Sequence, residues 1–417
     1  MNKKVCIAAV TTVTVAVLLA ACSSDDVRSE DALVGTDGNT VPSSVSTISV
    51  LETTEPEIDP AVRINEILAT MTTEQKVGQL LMPVLAGTEA RSVSSADAQL
   101  NRQIAGLDSP AEIVANFNLG GVLYLETNVE SAEQLRALSE DLQAAADSSS
   151  GLGLLVAVDQ EGGRVNRITD QVTVYPSASD FGGDVEYATE AGFVTGQQLQ
   201  RQGVNVVLAP VADVVLAGRP GFIGDRSYGD DPFKVADMVR GSITGLQQAG
   251  VAAAVKHWPG HGATSTDSHL RLPELQVDRG LWDGRERIPF DAAIENDVAI
   301  VVVGHLAVPG LDSSGAPATF SKVIIDDLLR QEMGFDGVVM TDALNMGAVG
   351  QYDEGALAVD AILAGADILL VPPDLASAYN SLLAAVENQQ LSAERLDQSV
   401  GRILRLKQDL GLLEPTS

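Results

Sequence analysis

The chain has 417 residues, 45% of them apolar, which is enough for one barrel-sized domain or two domains of medium size. Its formal net charge is −31, and its 26 basic residues form no block that could neutralise a run of phosphates, so nucleic acid is excluded as an expected partner. Aromatic residues make up only 4%, with two tryptophans, which leaves few platforms for stacking a long polymer and favours a small ligand.

The first 21 residues are typical of a secretory signal peptide, with lysines at positions 3 and 4 and an apolar stretch over residues 5–21. The stretch ends in Leu18-Leu-Ala-Ala-Cys22, which resembles the lipobox of bacterial lipoproteins, where the cysteine is lipidated and becomes the new N-terminus. The alternative is a plain transmembrane anchor, for which the apolar run is short. We therefore expect a protein held on the extracytoplasmic face of the membrane, in the cell envelope, by a lipid on Cys22.

The segment that follows, residues 22–60, is expected to be a lipidated cysteine and a disordered tether. It is rich in Ser, Thr, Asp and Glu and has few large apolar residues, so it cannot bury enough surface to offset the entropy of ordering. The only other cysteine, Cys6, lies in the predicted signal peptide, so no disulfide is expected in the mature chain.

From residue 61 onward, short apolar runs alternate with amphipathic helical stretches, as in βα units around a parallel sheet. The helical stretches include residues 131–146, 232–249, 289–296, 321–333 and 355–364. The eight apolar runs are residues 78–84, 121–125, 154–158, 204–208, 251–255, 299–303, 337–340 and 367–371. A count of eight favours an α/β fold with a closed (β/α)8 TIM-type barrel over an open doubly wound sheet. Residues 61–417 are therefore predicted to form a single catalytic barrel domain.

Polar residues follow five of these runs at the point where each predicted strand ends. They are Asp159, Asp213, the pair Lys256-His257, His305 and Asp342. The carboxyl ends of all strands in a barrel meet at one face, where catalytic side chains project into a common pocket. Any one of these residues could instead cap a helix or satisfy buried backbone groups, but five together favour a functional site.

Three of the four histidines lie in one segment, Lys256-His-Trp-Pro-Gly-His-Gly-Ala-Thr-Ser-Thr-Asp-Ser-His269, which its Pro and Gly residues make a loop after Trp258. Asp267 and His269 are two residues apart, so the carboxylate can hold one imidazole nitrogen while the other faces a substrate. Such a pairing fixes the tautomer and favours the protonated ring, as a proton donor near neutral pH requires. A mobile loop could also deliver and withdraw this donor.

This segment resembles the signature of glycoside hydrolase family 3, and more narrowly of its single-domain bacterial β-N-acetylhexosaminidases. Three further segments agree with the resemblance, in the order of the family: Met71-Thr-Thr-Glu-Gln-Lys-Val-Gly-Gln-Leu80, Asp159-Gln-Glu-Gly-Gly-Arg-Val165 and Met340-Thr-Asp342. The likeness covers roughly residues 62–412. The sequence departs from the family pattern at Trp258, where Phe is usual, and at Ala263, where many relatives have Asp.

The resemblance implies a retaining mechanism in which Asp342 is the nucleophile and His269, oriented by Asp267, is the acid and base. It further implies that five residues bind the sugar hydroxyls and the acetamido group: Asp159, Arg167, Arg226, Lys256 and His257. The implied substrate is a terminal β-linked N-acetylglucosamine on a cell-wall saccharide or muropeptide. No cofactor and no metal are implied, and a monomer is expected.

Several alternatives stay open from the sequence alone. A family 3 β-glucosidase is disfavoured because Asp267-Ser-His269 is present and no downstream stretch resembles the sandwich domain of those enzymes. A metal-dependent barrel hydrolase would use His257, His261 and His269 as ligands, and a lipoprotein sugar receptor would need two lobes and a hinge. Among single residues, Glu161 is expected to be a scaffold of its Gly-rich turn rather than a catalytic group, and His261 to shape its loop. His305 either lines the pocket or is a satisfied core imidazole.

Overall fold

The computed structural model describes residues 59–219 and 221–413. The predicted signal peptide, the lipidation site at Cys22 and all of the predicted tether up to residue 58 lie outside the described residues. The last two residues of the predicted tether are instead part of the start of the first helix, which begins at Pro60 and is capped by the side chain of Asp59. In the part of the chain that the structure describes, no helix is both long and apolar enough to cross a membrane.

Eight parallel strands form the centre of the fold. They are β1 Leu81–Met82, β2 Gly121–Tyr124, β3 Leu155–Val158, β4 Val206–Val207, β5 Ala252–Trp258, β6 Ile300–Val303, β7 Val338–Thr341 and β8 Leu369–Leu370. Strands β2 to β7 pair in chain order as one sheet, and β8 pairs with β1. A parallel bridge between Met340 and Ile368 joins β7 to β8, and Leu123 N donates to Pro83 O (2.9 Å) beside β1. These links close the ring, so the predicted (β/α)8 TIM-type barrel is confirmed.

The composition of the strands explains why they form a barrel. Every residue of the eight strands is buried, including the seven residues of β5, because helices cover the outside and side chains fill the inside. Strands buried on both faces read as continuous runs of apolar residues, which is the pattern seen in the sequence. Among the eight strands, only β5 carries basic side chains, at Lys256 and His257 near its carboxyl end.

The helices begin and end at ordinary capping signals. Thr72 and Gln75 form a capping box, and Gly106 and Gly151 end their helices in the left-handed conformation. The α-helices are α1 Pro60–Thr70, α2 Thr73–Gln79, α3 Ser95–Ala105, α4 Pro110–Phe117, α5 Ala132–Ser150, α6 Val185–Gln200, α7 Pro232–Gln248, α8 Arg279–Asp283, α9 Arg287–Ile294, α10 Glu354–Ala364, α11 Leu375–Glu387 and α12 Ala393–Asp409; Val323–Glu332 is a π-helix. All five predicted helical stretches are helical in whole or in large part.

The first apolar run shows how a predicted strand boundary can be wrong. The first apolar run was expected to begin as a strand at residue 78, but Gly78 and Gln79 are the last residues of α2 and β1 begins only at Leu81. A Cβ on Gly78 would lie 2.0 Å from Phe117 O, so α2 ends in close contact with the end of α4. When a buried helix end runs directly into a buried strand, both are mostly apolar, so hydrophobic periodicity cannot locate the boundary between them.

A buried lysine lies between α12 and α2. The Lys407 side chain is fully buried, and its Nζ donates to Gln79 Oε1 (2.5 Å), while Gln79 Nε2 donates to Asn118 O (2.9 Å). No carboxylate pairs with the ammonium among the described residues. Burial therefore lowers the pKa of Lys407 from its ordinary 10.5 to about 7.

This lysine is expected to make folding stability rise with pH. Between pH 7 and 10.5 the unfolded chain binds a proton at Lys407 that the folded chain does not, so the free energy of unfolding increases by up to about 1.4 kcal/mol per pH unit. The free energy of unfolding of wild type and of Lys407→Met is measured with denaturant at pH 7 and pH 9. The difference, wild type minus variant, should be roughly 2 to 3 kcal/mol larger at pH 9 than at pH 7. The exposed Lys234→Met is the matched control, for which the difference should stay constant. A Lys407→Met difference that does not change with pH would contradict the buried neutral lysine.

Candidate active site

The strand ends bring charged groups together at one face of the barrel. Asp159 directly follows β3, Lys256 and His257 lie near the end of β5, and Asp342 directly follows β7. These positions are the ones at which barrel enzymes carry catalytic side chains. Four of the predicted sugar-binding residues, namely Asp159, Arg226, Lys256 and His257, are joined by direct contacts.

The centre of this group is a buried network of two cations and two carboxylates. Lys256 Nζ lies 2.6 Å from Asp159 Oδ1 and 2.6 Å from Glu161 Oε1. Glu161 also accepts two hydrogen bonds from Arg226, at 2.7 Å from Nε and 2.8 Å from Nη2. Burial alone would raise the pKa of Glu161, but Lys256 and Arg226 outweigh it and hold that pKa well below its ordinary value. Glu161 is therefore an ionised scaffold for two cations, as expected from the sequence, rather than a proton donor.

His257 extends this network to a buried carboxylate, Asp213. His257 Nδ1 lies 2.6 Å from Asp213 Oδ2, and its Nε2 lies 3.3 Å from Arg226 Nη2. Because a guanidinium can only donate, Nε2 is assigned as the acceptor and Nδ1 as the donor to Asp213. Burial alone would raise the pKa of Asp213, but its interactions with His257 and His261 lower it below the ordinary value. Sequence reasoning noted Asp213 after β4 without giving it a role; it fixes the orientation of the His257 ring.

Asp342 is held as an anion at the same face. Its Oδ1 accepts a hydrogen bond from Ala343 N (2.8 Å). Burial alone would raise the pKa of Asp342, but interactions with His257, His305, the Ala343 N–H and Lys256 bring it below its ordinary 3.8. The carboxylate is therefore ionised at neutral pH, as a nucleophile must be.

His305 is a satisfied core imidazole beside Asp342, which decides between the two readings left open by the sequence. The ring is fully buried, its Nε2 donates to Ala343 O (3.0 Å), and its Nδ1 lies 2.6 Å from Thr319 Oγ1. Burial lowers the pKa of His305, which keeps the ring neutral. With both nitrogens occupied, His305 fixes the backbone next to Asp342 and has no nitrogen left for a substrate.

The predicted dyad lies in a loop over this face. His269 Nδ1 is 2.9 Å from Asp267 Oδ1, and the His269 side chain is 61% exposed. The loop is tied to the segment after Asp342, because Gly347 N donates to His269 O (3.0 Å) and Ala348 N donates to Ser268 O (3.0 Å). Partial burial alone would raise the pKa of Asp267, but hydrogen bonds from the His269 backbone and ring lower it. The dyad therefore has an anionic partner on one ring nitrogen and leaves Nε2 open to solvent.

His261 shapes this loop, as the sequence predicted. Its ring is buried, with Nδ1 2.5 Å from Thr264 Oγ1 and Nε2 3.2 Å from Ser268 Oγ. Burial lowers the pKa of His261. In the part of the chain that is described, no three His, Cys, Asp or Glu side chains are grouped as a metal would need.

Arg167 is the one predicted sugar-binding residue that makes no contact with the network. Its Nη1 forms an ion pair with Glu126, which follows β2, and its Nε is buried without a hydrogen-bond partner in the described structure. Sequence reasoning missed Glu126, because nothing in a single exposed glutamate after a strand distinguishes it. Arg167 thus lies outside the network, and its predicted role in binding the sugar stays a prediction.

The chain is similar to known proteins over most of its described length. Residues 72–406 match the model of the glycosyl hydrolase family 3 N terminal domain. Beta-hexosaminidase A of Pseudoalteromonas piscicida is 32% identical over 82% of this chain and 62% of its own length, and the beta-hexosaminidase of Methylococcus capsulatus is 35% identical over 70% of this chain and 87% of its own. The chain thus spans less than two thirds of the first of these relatives.

Solved structures extend the comparison. A glycoside hydrolase family 3 beta-N-acetylglucosaminidase from Paenibacillus sp. has 40% identity and a TM-score of 0.76, over 83% of this chain and 64% of that one. A beta-N-acetylhexosaminidase from Beutenbergia cavernae has 30% identity and a TM-score of 0.71, over 82% of this chain and 99% of that one. The chain therefore belongs to glycosyl hydrolase family 3, a family of enzymes.

Proposed function

We propose that the chain is a retaining exo-acting β-N-acetylglucosaminidase that removes terminal β-linked N-acetylglucosamine from cell-wall saccharides or muropeptides. The observation that carries the proposal is the Asp342 carboxylate, which directly follows β7 on the barrel face over which the exposed Asp267–His269 dyad lies. The relatives named as hexosaminidases and as a beta-N-acetylglucosaminidase support the choice of sugar.

The mechanism has two steps in which His269 reverses its role. In the first, an Asp342 oxygen attacks the anomeric carbon, the glycosidic C–O bond breaks, and His269 Nε2 gives its proton to the leaving oxygen. In the second, neutral His269 takes a proton from water, whose oxygen attacks the same carbon and releases the Asp342 carboxylate. Two inversions at one carbon give overall retention, and no proton is gained or lost over the cycle.

The buried network suits the recognition of a polar sugar. Lys256 and Arg226 supply charged donors and Asp159 a charged acceptor, and charge-assisted hydrogen bonds of this kind orient a ring strongly. Glu161 and Asp213 hold these groups before substrate arrives, so little ordering remains to be done on binding. This preorganisation favours a single sugar unit in a pocket over a long polymer in a groove.

We propose further that the enzyme works outside the cytoplasm, held at the membrane by a lipid on Cys22. The support is the charged and apolar N-terminus followed by Leu18-Leu-Ala-Ala-Cys22. Wild type should incorporate labelled palmitate, and globomycin, which blocks cleavage of lipidated precursors, should make a longer, uncleaved form accumulate in the membrane. Cys22→Ala should incorporate no label; labelling of Cys22→Ala equal to wild type, or no label in wild type, would contradict the lipid anchor.

The sugar preference is tested with two chromogenic substrates that differ only at carbon 2. We expect release of nitrophenol from the β-N-acetylglucosaminide to exceed release from the β-glucoside by on the order of 100-fold or more in kcat/KM, because groups placed for the acetamido function are left unpaired by a hydroxyl. Product analysis by NMR at early times should show the β-anomer first. A preference for the glucoside, or release of the α-anomer, would contradict the proposal.

A further inference from the structure

The imidazole of His269 is weakly restrained by its own loop. Its only hydrogen bond in the described structure is to Asp267, two residues away in the same loop, and most of the side chain is exposed. The bonds to Gly347 and Ala348 fix the backbone of the loop but not the torsion angles of the ring. A general acid must stay within hydrogen-bond reach of the leaving oxygen, so a further contact on the ring has a direct effect on catalysis.

Phe222 supplies such a contact from a different part of the chain. Its ring centroid lies 5.7 Å from that of His269 at an interplanar angle of 60°, which is an edge contact. The same ring lies 5.9 Å from His261, whose own ring bonds to Ser268 next to the acid. Phe222 therefore contacts both the His269 ring and the ring of His261, which bonds to the same loop at Ser268. Aromatic contacts at these distances are attractive.

The Phe222 segment is itself held firmly. Arg164 Nη2 donates to Phe222 O (3.2 Å) and to Ile223 O (3.0 Å), and Arg164 Nε pairs with Asp225 (3.3 Å). Gly221 has a φ of +62°, and a Cβ there would lie 2.2 Å from Thr264 O, so the segment lies directly against the acid loop. Arg164 also lies in the hairpin Gln160–Gly162 and Val165–Asn166, which carries Glu161.

From these contacts we infer that Phe222, clamped by Arg164, is a positioning residue for the acid and base His269. The inference deepens the proposed function and rests on it, because it requires His269 to transfer the proton. Phe222 limits the directions in which the exposed imidazole can turn and keeps Nε2 aimed at the leaving oxygen. The hairpin that holds the sugar-binding cations through Glu161 thereby also sets the position of the proton donor.

The test compares two β-N-acetylglucosaminides, one with an acidic nitrophenol as leaving group and one with a weakly acidic alkyl alcohol. For Phe222→Ala we expect kcat/KM with the alkyl substrate to fall about tenfold and kcat/KM with the nitrophenyl substrate to change less than about twofold, because kcat/KM reports the first step, in which only the poor leaving group needs a well-placed proton. Slower attack of water in the second step would lower kcat and KM together and leave kcat/KM unchanged. Phe222→Tyr, which keeps the ring, should restore most of the loss.

Matched controls make the result specific. The exposed Phe233→Ala should leave both substrates unaffected. If Phe222→Ala does not fold, Arg164→Gln is assayed in its place. This variant keeps the Phe222 ring but loses the guanidinium that binds the carbonyls of Phe222 and Ile223. We expect a smaller loss of activity, confined to the alkyl substrate. Equal losses for both substrates, no loss, or no recovery in Phe222→Tyr would overturn the inference.

The failure of this inference is separable from failure of the proposed function. If His269→Ala shows the leaving-group dependence and Phe222→Ala does not, His269 is the acid and Phe222 does not position it. If His269→Ala lacks the dependence, the proposed acid itself is wrong, and the Phe222 inference falls with it.

Discussion

Replacement of Asp342 by Asn is expected to lower kcat by on the order of 10⁴-fold while leaving KM within a few-fold of wild type. The amide is nearly isosteric, and its oxygen can still accept the Ala343 N–H, so the pocket keeps its shape. What is lost is the anion that attacks the anomeric carbon, because a neutral amide oxygen is a poor nucleophile. Since the pKa of Asp342 lies below 3.8, the wild-type carboxylate is fully ionised over the whole neutral range.

Covalent trapping gives this prediction a second measurement. A 5-fluoro glycosyl fluoride of N-acetylglucosamine should label wild type on the peptide that contains residue 342, and mass spectrometry of Asp342→Asn should show no label. Asp141→Asn, an exposed position on the outer helix α5, is the control for charge and should be labelled normally. Activity of Asp342→Asn within about tenfold of wild type, or a label on another peptide, would mean that a different group attacks.

The barrel could be predicted from sequence because its strands are buried on both faces. Such strands give short uninterrupted apolar runs, and eight of them alternating with amphipathic helices leave few other folds. Residues 121–125 and 299–303 match β2 and β6 to within one residue at each end. The run at 78–84 predicts a strand that starts too early, because its first residues are the buried end of α2, where Gly78 lies against the end of α4.

Side chains at or next to the carboxyl ends of strands could be predicted to converge. Asp159 and Asp342 directly follow their strands and Lys256 lies near the end of β5, so their convergence follows from the topology of a barrel. Phe222 has no such position, because it lies in a long segment between β4 and α7, and its contact with His269 depends on how two loops pack. Contacts of this kind join residues far apart in sequence and have no periodicity that a single sequence could reveal.

The sequence indicated a scaffold role for Glu161 and placed Asp213 after a strand, but it did not identify their partners. The structure shows that Glu161 contacts Lys256 and Arg226 and that Asp213 contacts His257. A buried carboxylate is stable only when cations and N–H donors surround it. The sequence shows that these cations and carboxylates are present, but it does not show which of them are neighbours in the fold.

Replacement of His269 by Ala is expected to slow hydrolysis in a way that depends on the leaving group. For a disaccharide or alkyl glycoside, kcat should fall by roughly 10² to 10⁴-fold, because the leaving alkoxide must depart without a proton. For a dinitrophenyl glycoside the first step needs no proton, so the burst of released phenol should stay near wild type. The second step should then become rate-limiting, since no base activates the water, and the glycosyl enzyme should accumulate.

Rescue by azide checks this division of steps. Azide attacks the anomeric carbon without a base, so it should restore turnover of the dinitrophenyl substrate and give a β-glycosyl azide. Leu270→Ala controls for disturbance of the loop, because this neighbouring side chain is 77% exposed, and it should leave the leaving-group dependence unchanged. If His269→Ala lowers the rate equally for good and poor leaving groups and azide has no effect, the imidazole positions the loop or the sugar and does not transfer the proton.

Asp267→Asn should show the same dependence on the leaving group as His269→Ala, but with a smaller loss of rate. The change removes the anion bound to Nδ1 of His269 and leaves the ring in place.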